Sequence, residues 1–289
     1  MNKIGIHYAY WTKDWDVDYR KYIVRAASLG FDVIEFDLGG FFSRTEAELD
    51  DIIAVARDAG IEMTFCVGFA DEFDMSSEDP VIKSNGIRHA VEDLKLISRL
   101  GGTTFSGITY GAWQPQIKGL MNDKRPWLER SAQSVREVSK VADDLGIQNN
   151  IEIVNRFEQF LINTVDEGLA FLEMVGNPRV KLLLDTFHMN IEENSFREAI
   201  LKAGDKIGHF HIGEANRKVP GSGRLPWDEI FGALKETGYQ GRIVMEPFVK
   251  MGGEVGKAIL VWRDLVSGDE KVLDEDARMA RKFVYGKLL

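Results

Sequence analysis

A chain of 289 residues is long enough for two ordinary domains or for one α/β barrel, which needs about 250 residues. Its 44% hydrophobic and 28% charged residues are the shares of a soluble globular protein and exclude a low-complexity or disordered one. The net charge of −10, from 46 acidic against 36 basic residues, argues against nucleic acid and anionic membranes as partners.

The opening residues Met1-Asn2-Lys3-Ile4-Gly5-Ile6 hold no apolar signal core, and no run approaches the roughly 18 apolar residues of a membrane span. The one cysteine, Cys66, permits no internal disulfide, so a cytoplasmic location is expected.

Along the chain, short β-branched or aromatic runs alternate with longer helical patterns. Lys3 to Tyr8 predicts the first strand, and a helix from about Asp18 to Leu29 stops at Gly30. Asp32 to Leu38 is the second strand. Its helix opens with a capping box, Thr45 to Glu48, and ends at Gly60. Ile61 to Val67 is the third strand, followed by a helix with Val91, Leu94, Ile97 and Leu100 at helical spacing. Thr103 to Thr109 is the fourth, and the next helix starts after Pro126. Ile151 to Val154 is the fifth, with Thr164 and Glu167 capping the helix after it. Arg179 to Leu184, Lys206 to Ile212 and Arg242 to Met245 are the sixth to eighth, and Pro226 and Gly238 bound the helix between the last two. The tail from about Asp274 to Leu289 reads as one extra C-terminal helix, packed outside the barrel or on a partner subunit.

Eight strands joined by crossovers of helical length imply parallel pairing and a single α/β domain over residues 1–289, a (β/α)₈ TIM barrel, with a doubly wound open sheet as the alternative. Sites in such barrels sit at the carboxyl ends of the strands. Four apolar runs there deliver a misfit: Glu152 within Ile151-Glu152-Ile153-Val154, Asp185 after Leu184, His211 after Phe210 and Glu246 after Met245. An uncompensated buried charge costs several kcal/mol, so these four are read as converging on one divalent cation. Their mostly oxygen donors suit Mn²⁺, Mg²⁺ or Co²⁺ better than a closed structural zinc site.

An octahedral ion with four protein ligands keeps two positions open, enough for the C2 carbonyl and C3 hydroxyl of a ketose. The ion would polarise the carbonyl and stabilise the enediolate that forms when the C3 proton leaves. Inversion needs a base on one face and an acid on the other, and Glu152 with Glu246 are the pair expected to serve. His209 shares a strand face with His211 and is expected in a supporting or core position.

The segments Glu152-Ile-Val-Asn-Arg-Phe-Glu158, Leu184-Asp-Thr-Phe-His188, His209-Phe-His-Ile-Gly-Glu-Ala-Asn-Arg217 and Met245-Glu-Pro-Phe248, with Tyr8-Ala9-Tyr10-Trp11 and Gly111-Ala112-Trp113, strongly resemble the D-tagatose 3-epimerases, which include the D-allulose (D-psicose) 3-epimerases. The resemblance implies a xylose-isomerase-like (β/α)₈ barrel binding one Mn²⁺-type ion, with Glu152, Asp185, His211 and Glu246 as ligands and the two glutamates as catalysts. It further implies that Glu158, His188 and Arg217 hold substrate oxygens near C1 to C3 and that Trp113 and Phe248 shape the pocket. Cys66 falls in the region that faces the far end of the sugar in that family. A homodimer or homotetramer acting on free ketohexoses such as D-tagatose, D-fructose and D-allulose, and on ketopentoses such as ribulose, is the implied assembly and activity.

Three positions depart from the usual pattern: His7 stands where many members carry tyrosine, Ile151 where leucine is common, and Gln114 separates Trp113 from Pro115; His7 and Gln114 lie near the sugar pocket and bear on substrate preference. Other readings stay open. His188 could merely cap a turn, Glu158 and Arg217 could form a rim salt bridge, and Cys66 could be an ordinary buried thiol. Gly252-Gly253-Glu254-Val255-Gly256 reads as a loop, and the stretch around Pro220-Gly221-Ser222-Gly223 as a mobile one. The competing functions are an aldose–ketose isomerase using a hydride shift, a metal-dependent endonuclease of similar barrel shape, and a non-catalytic sugar-binding protein.

Overall fold

Strands of three to nine residues alternate with helices in the computed structural model, which describes residues 2–115, 117, 120–266 and 269–289. In chain order the elements are β1 (Ile4–His7), α1 (Tyr19–Ser28), β2 (Val33–Phe36), α2 (Glu46–Asp58), β3 (Glu62–Phe69), α3 (Pro80–Arg99), β4 (Thr104–Ala112) and α4 (Arg125–Asp144). They continue with β5 (Gln148–Ile153), α5 (Val165–Val175), β6 (Val180–Asp185), α6 (Thr186–Glu192), α7 (Phe196–Ala203), β7 (Ile207–Ile212), α8 (Trp227–Thr237), the three-residue β8 (Ile243–Met245), α9 (Gly253–Ala258) and α10 (Glu270–Leu288). The strand order runs β1 to β8 and closes as a parallel barrel, not as an open sheet. Among the described residues no helix is long and apolar enough to cross a membrane.

The chain gathers into two units, Met1–Phe65 with Phe210–Leu289, and Cys66–His209. Strands β3 and β7 run from one unit into the other.

In the first unit β1 lies between β2 and β8, with Ile6 opposite Ile34 on one side and Met245 on the other. A parallel strand covered on both faces reads as a continuous apolar run, and Ile4, Ile6, Val33, Ile34, Ile243, Val244 and Met245 are all buried. Each such side chain contributes about 1.5–3 kcal/mol relative to staying in water. The capping box of α2 forms as expected, Thr45 Oγ1 accepting from the Glu48 amide at 3.3 Å and Glu48 Oε2 from the Thr45 amide at 2.8 Å. Helix α10 begins earlier than the apolar pattern suggested because Asp269 caps it. It packs on its own chain: Tyr10 donates its hydroxyl proton to the Leu273 carbonyl at 3.1 Å, and Arg25 pairs with Asp274 at 2.7 Å.

The glycine-rich stretch after β8, expected as a loop, is instead the short helix α9. Glycine disfavours helix, but the Val255 amide donates to the Lys13 carbonyl at 2.9 Å and Val255 itself is buried, so tertiary contact overrides propensity.

In the second unit β5 starts three residues before the apolar run, at Gln148-Asn149-Asn150. Those polar residues were not legible as strand because Asn149 and Asn150 find partners on β4. Asn150 donates to Ser106 Oγ at 3.0 Å, Gln148 to Asn150 Oδ1 at 2.6 Å, and Thr109 to Asn149 Oδ1 at 3.2 Å. Strand β4 is buried throughout, and Gly107 within it takes φ +112°, where an added Cβ would sit 2.2 Å from the Val67 carbonyl oxygen. Gly107→Ala is expected to lower stability by about 2 kcal/mol or more, whereas Gly60→Ala, at φ +67° with open space around it, costs about 1 kcal/mol. Thermal unfolding of the two variants checks this, and equal midpoints would contradict it.

Candidate active site

Each of the four misfits sits at the carboxyl end of its strand. Glu152 is the penultimate residue of β5, Asp185 the last of β6, His211 the penultimate of β7, and Glu246 directly follows β8. The Glu246 amide still donates to the Ile212 carbonyl at 3.0 Å, so the ladder holds this residue although the strand has formally ended.

Within the unit that carries Glu152 and Asp185, neighbours orient each side chain. Asp185 is both the end of β6 and the N-cap of α6, its Oδ1 accepting from the Phe187 amide at 2.9 Å. The pair Asp185 and His188 therefore lies on a helix start and not on a simple turn. His188 is buried; its Nδ1 accepts from the Asn155 amide at 3.2 Å and lies 2.7 Å from Asn155 Nδ2. That acceptor role places the ring proton on Nε2, which lies 3.7 Å from both Glu152 Oε1 and Asp185 Oδ2. Glu158 accepts from Asn155 Nδ2 at 2.9 Å and from Trp113 Nε1 at 3.1 Å. Gln114, the inserted residue, adopts φ +56° and donates its amide to the Glu158 carbonyl at 2.8 Å. Cys66 is half-buried, its thiol donating to Glu152 Oε2 at 3.8 Å. His209 is fully buried.

In the other unit Arg217 reaches Glu246. Its Nη1 donates to Glu246 Oε2 at 2.9 Å, and its guanidinium lies 5.3 Å from the Phe248 ring centroid. The stretch beyond Arg217, expected as mobile, is pinned by one buried carboxylate. Glu214 accepts from the amides of Gly221, Arg224 and Leu225 at 2.8, 3.1 and 3.3 Å and from Trp227 Nε1 at 2.8 Å. Backbone bonds from Arg217 to the Glu214 carbonyl, 2.8 Å, and from Phe248 to the Arg217 carbonyl, 3.0 Å, close the loop under the guanidinium. Arg217 itself takes φ +60°, a conformation such tethering can hold.

His211 directs its two ring nitrogens at two carboxylates: Nδ1 is 3.6 Å from Glu246 Oε1, and Nε2 is 2.7 Å from Glu35 Oε1. Sequence reasoning passed over Glu35 and Glu214. Glu35 carried the same signal as Glu152, a carboxylate inside the apolar run Val33-Ile34-Glu35-Phe36.

Glu152 and Asp185 in one unit and His211 and Glu246 in the other are all buried. Three carboxylates with one imidazole are a donor set that fits a hard divalent ion.

The chain is a closed eight-stranded barrel, and residues 23–282 match the xylose isomerase-like TIM barrel family. The chain is 45% identical over 282 residues to D-psicose 3-epimerase of Ruminiclostridium cellulolyticum, covering 97% of this chain and 96% of the relative. It is 43% identical to D-psicose 3-epimerase of Agrobacterium fabrum, at 97% of each. A crystal structure of D-psicose 3-epimerase with D-tagatose from Clostridium cellulolyticum superposes with a TM-score of 0.96 at 45% identity, over 99% of both chains. The chain belongs to the D-tagatose/D-psicose 3-epimerase family, and so to the isomerases.

His7 is buried against Phe248 and Trp15, at ring-centroid distances of 5.5 and 6.4 Å, and its Nδ1 accepts from the Ala9 amide at 3.3 Å. Burial pushes its pKa down from 6.5 to about 3, against the upward pull of Glu35 and with help from His211 and Arg217. Between those two values the unfolded chain binds the extra proton, so His7 favours folding fully above about pH 6.5 and loses that contribution as the pH falls towards 3. His7→Gln should therefore lose less stability than the native chain between pH 6.5 and 5, by roughly 1.5–2 kcal/mol in denaturant unfolding. Parallel losses would contradict a neutral His7.

Proposed function

We propose that this protein inverts C3 of free ketohexoses, D-tagatose, D-fructose and D-allulose among them, and of ketopentoses such as ribulose, by exchanging the C3 proton between Glu152 and Glu246. The observation that carries the reading is accessibility within the four-residue group. Asp185 and His211 are 0% exposed, while Glu152 and Glu246 keep 6% and 7%. The two glutamates are the members with surface left for a substrate.

Glu152, Asp185, His211 and Glu246 would hold one divalent ion, Mn²⁺ in this reading with Co²⁺ or Mg²⁺ as alternatives. When bound, such an ion polarises the ketose carbonyl and makes the adjacent C3 proton more acidic. One glutamate removes that proton and leaves an enediolate planar at C3; the other returns a proton from the opposite face, and the direction of reaction decides which acts first. His188, with its proton on Nε2, donates to a substrate oxygen between C1 and C3. Arg217 does the same while holding Glu246 by its second oxygen, and Glu158, itself held by Asn155 and Trp113, accepts from a hydroxyl. Trp113 and Phe248 give the pocket its apolar walls, and His7 and Cys66 face the far end of the sugar. A neutral His7 whose Nδ1 is occupied offers an N–H donor there. The reading includes one barrel domain over residues 1–289, a homodimer or homotetramer, and a cytoplasmic location.

Glu246→Gln and Glu152→Gln should each lower conversion of D-fructose by about 10²- to 10⁴-fold, the usual worth of a general acid or base, while one Mn²⁺ per chain is retained. Unchanged conversion in either variant would contradict the two-carboxylate mechanism.

A further inference from the structure

The unit that carries His211 contains a buried carboxylate to which the proposed mechanism gives no part. Glu35 is 0% exposed in β2, and burying an ionised carboxylate is tolerated only with a specific partner. Its Oε1 lies 2.7 Å from His211 Nε2, and its Oε2 accepts from Thr64 Oγ1 at 3.0 Å. Thr64 is the residue opposite Glu35 in the β2–β3 register, so backbone pairing sets this second contact. The side chain is thus held by Thr64 at one oxygen and set close against His211 at the other.

His211 is equally buried, and its other nitrogen, Nδ1, is the one on the Glu246 side, 3.6 Å from Oε1. A histidine can lend a lone pair from one nitrogen only while the proton sits on the other. A carboxylate 2.7 Å from Nε2 favours the proton on that nitrogen, which leaves Nδ1 as the lone-pair atom.

We propose that Glu35 is a positioning residue: by its 2.7 Å contact with Nε2 it fixes the tautomer and the orientation of His211, so that Nδ1 faces the ion. Thr64 in turn holds Glu35. This rests on the reading of His211 as a metal ligand, which the test separates from the inference itself.

Mn²⁺ affinity and stoichiometry, measured by counting free Mn²⁺ with electron paramagnetic resonance, decide the matter without any turnover. Glu35→Gln should raise the dissociation constant about 10- to 100-fold, the usual cost of losing such a partner. Added to His211→Ala, it should change nothing further, because Glu35 acts through that ring. If His211→Ala binds Mn²⁺ as the native chain does, the ligand reading fails and this inference with it. If His211→Ala weakens binding but Glu35→Gln does not, the inference alone is overturned. Equal weakening in both backgrounds overturns it too, since Glu35 would then act on the fold and not on the ring, and so does a second Mn²⁺ per chain. Should Glu35→Gln not fold, Thr64→Val decides: about a threefold rise supports the inference, and an unchanged constant overturns it.

Discussion

Three carboxylates and an imidazole, all buried at strand ends, form the constraint around which the rest of this protein is arranged. Buried charges oppose folding unless a cation or a set of donors offsets them. The donors are in place for parts of the group. Arg217 reaches Glu246, the Phe187 amide caps Asp185, and Cys66 lies against Glu152. Arg217 and the Phe187 amide come from just beyond strand ends, where a parallel barrel concentrates its loops, and Cys66 from within β3.

Orientation is passed outward from these side chains by a further ring of polar contacts. Asn155 sets the His188 tautomer and at the same time holds Glu158, which Trp113 secures from its other oxygen. Glu214 does for Arg217 what Asn155 does for His188: it ties the loop backbone so that the guanidinium is presented at a fixed height. Such support keeps reacting groups near their working geometry, where displacements of an ångström are costly. His7 contributes differently, as a neutral ring among aromatics whose donor faces the sugar's variable end in the proposed reading.

Much of this was legible in the sequence because apolar runs in a parallel barrel are uniform, so a charged residue within one stands out. Glu152, Asp185, His211 and Glu246 announced themselves in that way, and the closed barrel followed from eight strands with helical crossovers. What escaped was set by partners distant in sequence. The strand character of Gln148-Asn149-Asn150 depends on Ser106 and Thr109, the helix at Gly253 on Lys13, and the ordered loop after Arg217 on Glu214. Glu35 was visible as a misfit, but its run is four residues long, and its meaning lies in a histidine 176 positions further on.

Proton exchange at C3 of a ketose is the central claim, and exchange with solvent tests it most directly. Mn²⁺-loaded protein incubated with D-fructose or D-tagatose in D₂O, followed by NMR, should yield the C3 epimer carrying deuterium at C3. An aldose formed without solvent deuterium would show a hydride shift instead, and a sugar that binds but stays unchanged would show a binding protein; either result contradicts the account.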